Sequence, residues 1–241
     1  MDAQTVDAIM GGAIRVAQPR RGYRVSIEAV LLARFATVKP RDRALDLGAG
    51  CGVVAIALAS LRGAKQVVAL EIQPAMAALA ERNAALNGVG NLRVIRADLR
   101  VRPIAGLAPA SFDLVVANPP FHAVGAGRSS PDVSRRLARG ESTASIADFV
   151  RAARRYARNG ARAAFVFAAS RSTELVDAMR SNGLEPKRIR FVHPRAVLPA
   201  SVILVEARAG AGTEVIVEPP LMLRDRTGGY TDEARDLLVI S

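Results

Sequence analysis

Arg43-Ala44-Leu45-Asp46-Leu47-Gly48-Ala49-Gly50-Cys51-Gly52, running on into Val53-Val54-Ala55-Ile56-Ala57-Leu58, is the stretch that decides the fold. Its first five residues read as a short apolar strand. Three glycines then turn the chain, and Val53–Leu61 reads as an apolar helix. A strand that runs through glycines into a helix N-terminus lets backbone approach a ligand and offers unpaired N–H groups to a negative one. Gln66–Ile72 is a second buried-strand run, so the unit is strand, helix, strand, and the two strands are expected to be parallel.

The pattern repeats outward. Pro74 sits in the first turn of a helix that stops at Asn87-Gly88. Leu92–Ala97 and Phe112–Ala117 read as strands, 121–144 as a long polar loop, Ile146–Arg158 as a helix ending at Asn159-Gly160, and Ala163–Ala169 as a strand. Ser170 is placed as the cap of a helix reaching Asn182-Gly183, and strand-like stretches follow near 187–193, 200–208 and 214–218. No helix separates those last strands, so an antiparallel hairpin is expected to complete a parallel, doubly wound α/β sheet. Upstream, residues 13–18 alternate like a strand, Arg20-Arg21-Gly22 forms a basic turn, and Ser26 stands as N-cap to a helix through Ile27, Val30, Leu31 and Phe35. One domain over residues 1–241, with 1–40 as a leader, is the expected organisation.

Composition narrows the class. Half of the 241 residues are apolar, too many for a disordered chain. No apolar run approaches the roughly 20 residues of a membrane span. Residues 1–10 carry two aspartates and no basic cluster, unlike a signal peptide. The single cysteine excludes an internal disulfide, and with two histidines it makes a zinc site improbable, so a cytoplasmic, metal-free protein is expected. The formal net charge is +12, and only three of the 34 basic residues are lysines (Lys39, Lys65, Lys187). Such a balance suits a polyanionic partner but also fits a compositional preference for arginine.

Side chains at strand ends carry the chemistry. Glu71 closes the second strand, where a carboxylate can accept hydrogen bonds from both hydroxyls of a ribose. Asp98 closes the third, where an adenine edge would lie. The spacing G-x-G-x-G departs from the nicotinamide pattern G-x-G-x-x-G, whose sixth position falls on Val53. Cys51 reads as a small loop residue. At the end of the fourth strand stands Asn118-Pro119-Pro120-Phe121. An exocyclic amine on a base is a poor nucleophile. The Asn118 side-chain oxygen and the Pro119 carbonyl can each accept one of its hydrogens, which aims the lone pair. Phe121 can stack on the ring, and Pro119 with Pro120 stiffens the turn. A cytosine C5 reaction would need a cysteine nucleophile, and Cys51 lies in the wrong loop.

The run Asp46 to Gly52 resembles motif I of the S-adenosylmethionine methyltransferases, and Asn118 to Phe121 resembles their motif for planar nitrogens. Beyond these, Gly22–Ala33, His193-Pro194-Arg195-Ala196 through Pro199-Ala200, Val202–Ala207 and Gly229-Tyr230-Thr231 are similar to segments of the bacterial tRNA(Val) adenine N6-methyltransferase family. The resemblance covers nearly the whole chain. It implies a Rossmann-like seven-stranded sheet, mostly parallel with an antiparallel C-terminal hairpin. It implies S-adenosylmethionine as cofactor, held by Asp46, Gly48, Ala49, Gly50, Gly52, Glu71, Ile72, Asp98 and Leu99. It implies an adenine of tRNA as substrate, held by Asn118, Pro119, Pro120 and Phe121.

Arginines gather beside the last of these motifs. Arg128, Arg135, Arg136 and Arg139 fall in the loop after it, and Arg20, Arg21 and Arg24 in the leader; both sets are candidates for gripping RNA phosphates. Arg151, Arg154, Arg155 and Arg158 lie at helical spacing and read as a solvated face. Guanine N2 methylation of rRNA, with His122 near the substrate, glutamine N5 methylation of a protein, and a non-catalytic RNA-binding module stand as alternatives. The glutamine enzymes usually carry a helical N-terminal domain, for which 40 leader residues are too few.

Overall fold

A computed structural model describes residues 4–19, 25–121 and 144–238. The chain opens with a hairpin of β1 (Gln4–Ile9) and β2 (Ile14–Pro19), then α1 (Ile27–Phe35). Next come β3 (Arg43–Leu47), α2 (Val53–Ser60), β4 (Gln66–Glu71), α3 (Pro74–Leu86), β5 (Leu92–Arg96) and β6 (Phe112–Ala117). After residue 144 follow α4 (Ile146–Tyr156), β7 (Ala157–Ala168), α5 (Ser172–Ser181), β8 (Leu184–Arg195) and β9 (Val202–Ala209). Two short strands, β10 (Ile216–Val217) and β11 (Leu221–Arg224), and α6 (Asp232–Leu238) end the described chain.

The main sheet runs β10-β8-β9-β7-β6-β3-β4-β5, with β11 also paired to β8. Its seven long strands are parallel except β9, which runs against both β7 and β8 and so makes the expected antiparallel hairpin. The short β10 and β11 extend the same edge, each parallel to β8. Parallel strands covered on both faces show alternation only in which core they enter. Ala44, Val67, Ala69, Leu114 and Val116 face one core, under α1 and α2. Leu45, Leu47, Val68, Leu70, Val115 and Ala117 face the other, under α4 and α5.

Local signals explain the helices. All seven residues Val53–Ala59 of α2 are buried, which fits its apolar composition all round. In α3, Pro74 occupies the first turn and Gly88 adopts the left-handed conformation just past the end. In α4, Ser145 and Asp148 form a reciprocal capping box. That helix stops at Tyr156 and passes directly into β7, so Arg158 lies on a strand and not on the helical face expected for it. Ser26 holds the N-cap position of α1 without a side-chain bond, and α5 begins at Ser172 after a turn at Ala169–Arg171.

The leader hairpin is fastened by amides. Asn83 and Asn87 of α3 are four residues apart, and each bonds both backbone groups of one β2 residue, Ala17 and Arg15 respectively. Four helical residues rise about 6 Å and two strand residues about 6.6 Å, so the two repeats match.

Candidate active site

Leu47 pairs with Ala117, so Gly48 and Asn118 emerge side by side at the carboxyl ends of β3 and β6. From β3 the chain builds outward through β4 and β5, and from β6 it builds the opposite way through β7. Ligands of open α/β sheets bind at such a switch point. A pocket lies there, lined by Asp46, Gly48, Ala49, Cys51 and Asn118, with Val25 and Ala29 of the leader closing one side. Val25 is itself fixed, because its N–H donates to the buried Gln18 side chain at 2.8 Å.

The loop is built by conformation and by packing. Gly48, Gly50 and Gly52 have φ of 69°, 56° and 89°. A Cβ on Gly48 would lie 3.0 Å from Phe149 Cε1, and one on Gly52 would lie 3.0 Å from Ala80 Cβ. The glycines therefore allow close backbone approach on the packed side of the loop as well as toward the pocket. Glycine at position 52 leaves the N-terminus of α2 without a side-chain cap, and Asp46 supplies the acceptor from the neighbouring strand: its Oδ2 accepts from Ala55 N–H at 3.1 Å.

Two carboxylates face this region. Glu71 is buried; its Oε2 accepts from Gly50 N–H at 2.9 Å and its Oε1 from Gln73 N–H at 2.8 Å. Asp46 is 2% exposed. Burial, and then the Glu71 charge, push its carboxyl up to about 7, while the Ala55 N–H pulls it down. Among the described residues no lysine or arginine pairs with either acid. Two buried carboxylates beside an opening, without a cation of their own, fit a ligand that brings positive charge and hydroxyl donors. Burial drives the Cys51 thiol up to about 11, so it is no nucleophile and serves as a small loop residue.

Further along the edge, Ile72 is 51% exposed beside Glu71 while Leu99 is buried beside Asp98. This gives one open apolar surface where a flat ring can rest. The Asp98 carboxylate is gripped by Arg100, with Nη2 to Oδ2 at 2.7 Å, and that hydrogen bond foremost holds it below the usual carboxylate range.

On the other side of Asn118, Pro119 is buried and Pro120 exposed. The Phe121 ring meets Phe167 of β7 edge-on at 5.8 Å. Its carbonyl accepts from Arg171 Nη1 at 2.9 Å. Arg171 lies over the Phe167 ring at 4.8 Å and is gripped through two hydrogen bonds by Glu174. Arg171 and Glu174 escaped the sequence reading, since a side chain that bonds a distant carbonyl leaves no periodic or motif signal. Of the arginines read as a solvated face, Arg158 pairs with Asp113, Arg151 with Asp148, and Arg155 donates to the Leu99 carbonyl at 3.3 Å. Arg20, Arg21, Arg24, His122, Arg128, Arg135, Arg136 and Arg139 lie outside the described residues.

The methyltransferase small domain family matches residues 26–145. The tRNA1(Val) (adenine(37)-N6)-methyltransferase of Tolumonas auensis is 30% identical over 220 residues, covering 90% of this chain and 88% of that protein. The crystal structure of a predicted O-methyltransferase from Agrobacterium tumefaciens aligns with a TM-score of 0.70 at 26% identity, covering 87% of this chain and 94% of the other. M. jannaschii TYW2 in complex with AdoMet shares the fold, with a TM-score of 0.56 at 16% identity over 87% of this chain and 88% of its own. The chain therefore belongs to the family of the curated tRNA1(Val) (adenine(37)-N6)-methyltransferases, built on the methyltransferase small domain.

Proposed function

We propose that this methyltransferase carries a methyl group from S-adenosylmethionine to the exocyclic N6 of an adenine in tRNA. One observation carries the reading: Asp46 lines the switch-point pocket with Asn118, Glu71 joins the same glycine loop through Gly50 N–H, and among the described residues neither buried carboxylate has a cationic partner. S-adenosylmethionine supplies a methyl group bonded to a positively charged sulfur. Asp46 offers that cation a compensating charge, and Glu71 offers acceptors for ribose hydroxyls in addition to its two backbone bonds. Ile72 supports one face of the cofactor's adenine, Leu99 backs the segment that carries Asp98, and Gly48, Ala49, Gly50 and Gly52 admit the rest of the molecule.

On the substrate side, the Asn118 amide oxygen and the Pro119 carbonyl accept the two amine hydrogens and turn the lone pair toward the methyl group. As the C–N bond forms, the methyl–sulfur bond would break and leave a neutral thioether, and the surplus proton on nitrogen, hydrogen-bonded to the same acceptors, would pass to solvent water. Pro119 and Pro120 keep them preorganised, and Phe121 stacks on the base. A base that reaches this turn has to leave its stack, at a cost of a few kcal/mol, and RNA contacts outside the turn offset that cost. A cytoplasmic location and one domain over residues 1–241, with 1–40 as its leader, belong to this reading.

The test compares nucleosides by mass spectrometry from a deletion strain and its parent, together with purified Asn118→Ala. The expected result is loss of N6-methyladenosine from the tRNA fraction. The variant is expected to bind S-adenosylmethionine normally and to transfer no methyl group. Loss of N2-methylguanosine from rRNA would overturn the substrate, and a fully active variant would overturn the role of Asn118.

A further inference from the structure

Several of the described arginines are committed to a carboxylate, as Arg162 is to Asp42, Arg171 to Glu174 and Arg190 to Glu233. Arg195 and Arg224 are not. They are register partners at the ends of the parallel strands β8 and β11, so they stand together on the same edge of the sheet as Asn118. The Arg224 guanidinium lies over the Tyr230 ring at 4.5 Å and donates to the Gly228 carbonyl at 2.7 Å. Arg195 Nη2 comes within 3.7 Å of the Cβ position of the same Gly228. Both cations are exposed and among the described residues neither has an acidic partner. The nearby acid, Asp225, is occupied within the turn, accepting from Thr227 N–H, Thr227 Oγ1 and Gly229 N–H at 2.9, 2.7 and 3.1 Å.

Beside this pair, the β8–β9 loop holds two apolar side chains out to solvent, with Val197 88% exposed and Leu198 46%. The loop is braced: Leu198 N–H donates to the Arg195 carbonyl at 3.0 Å, and the Leu198 carbonyl is 2.8 Å from His193 Nδ1. Unneutralised guanidinium forks, an aromatic face and a fixed apolar tip are the groups that hold phosphates and unstacked bases of RNA. From β6 to β11 is four strand steps, through β7, β9 and β8. At about 4.8 Å per step the pair lies on the order of 19 Å from Asn118. That is about five to six phosphates along one strand of a stacked helix.

We propose that Arg195, Arg224 and Tyr230, with the Val197-Leu198 tip, form a second RNA contact that grips the strand flanking the target nucleotide while the Asn118 turn receives the base. The proposal rests on the RNA reading of the site, and the two can fail separately. Arg195→Ala with Arg224→Ala is expected to weaken tRNA binding about 10- to 100-fold and to flatten the dependence of log K on log salt by about 1.4 to 1.8, for two phosphate contacts. S-adenosylmethionine affinity and the rate at saturating tRNA stay within twofold. Arg224→Lys keeps the charge and guards against a disturbed turn, so it should restore most of the salt slope but less of the affinity. Val197→Ser with Leu198→Ser should weaken binding with the slope unchanged.

If the wild type methylates tRNA while the arginine double variant keeps its affinity and slope, the second contact is wrong and the RNA reading stands. If the wild type neither binds nor methylates RNA, both fail. If the serine variant leaves RNA affinity intact but converts a dimer to a monomer in sedimentation, the tip belongs to self-association and its part in the RNA contact is overturned.

Discussion

Asn83 and Ala17 are joined at both backbone groups: Ala17 N–H donates to Asn83 Oδ1 at 2.7 Å, and Asn83 Nδ2 donates to the Ala17 carbonyl at 3.0 Å. The same Nδ2 donates to the Cys51 carbonyl at 2.9 Å, so one wholly buried amide ties the leader hairpin to the glycine loop. Asn83→Ala leaves three backbone groups without their partner. At about 1–3 kcal/mol for an unsatisfied buried group, partly relieved by water, the expected loss is about 2–4 kcal/mol in urea denaturation. Cofactor affinity should fall with it, because the Cys51 carbonyl is released. Asn83→Asp should be worse, since it sets a carboxylate against two carbonyls. A loss under about 1 kcal/mol would show that the hairpin does not need this clasp.

Asp46 predicts an unusual pH dependence. The folded protein keeps the Asp46 proton up to about pH 7, whereas the ordinary value is 3.8. Between about pH 4 and 7 the folded state therefore binds more protons than the unfolded state. Stability should fall as pH rises through that window, by at most about 1.4 kcal/mol per unit from this group, and should level off above it. A cationic cofactor favours the ionised form, so its binding should tighten as pH rises toward 7 and should release a proton. Calorimetry in two buffers of different ionisation enthalpy measures that release. Asp46→Asn keeps an acceptor for Ala55 N–H and should abolish both effects; proton release that persists in the variant would assign it to another group.

Arg171 acts through Phe121. It bonds the Phe121 carbonyl and leans on Phe167, which in turn meets the Phe121 ring. Arg171→Met should keep cofactor affinity and lower kcat about 10- to 100-fold, the range expected when a reacting group is displaced by about 1 Å. Glu174→Gln should cost far less, since its side chain is 46% exposed and such pairs contribute about 0–1 kcal/mol. Equal losses in cofactor affinity and kcat would mean that Arg171 supports the whole loop edge and not the substrate turn.

The parts of this structure that were legible in the sequence are those where burial imposes a run. Arg43–Leu47, Gln66–Glu71 and Phe112–Ala117 are buried on both faces and read as apolar strands; the glycine loop and the Asn-Pro-Pro-Phe turn stand at their ends. β1 was not legible, because Thr5 to Ile9 alternate only between half-buried and exposed and no apolar stripe results. β11 buries only Leu221. The boundary between α4 and β7 was misplaced because Asn159-Gly160 resembles a helix stop, while Ala157 already pairs with Phe112 ahead of a register shift. The Asn83 clasp, the Arg171 brace and the Arg195–Arg224 pair depend on single side chains reaching backbone or one another across the fold, which no local pattern encodes.

Gly48 separates two reasons for glycine that the motif merges. Its φ of 69° disfavours any L side chain, and a Cβ would press on the Phe149 ring at 3.0 Å, tighter than an ordinary contact. Gly160 has nearly the same φ, 74°, with nothing within 4 Å of its Cβ position. Gly160→Ala should therefore report the backbone cost alone, about 1–2 kcal/mol. Gly48→Ala should cost more, and the excess measures the contact with Phe149. Adding Phe149→Leu should recover that excess in a double-mutant cycle while the backbone cost remains. If Gly48→Ala and Gly160→Ala cost the same and the cycle shows no coupling, packing behind the loop is not a reason for glycine at position 48, and only the turn itself and close approach of a ligand are left.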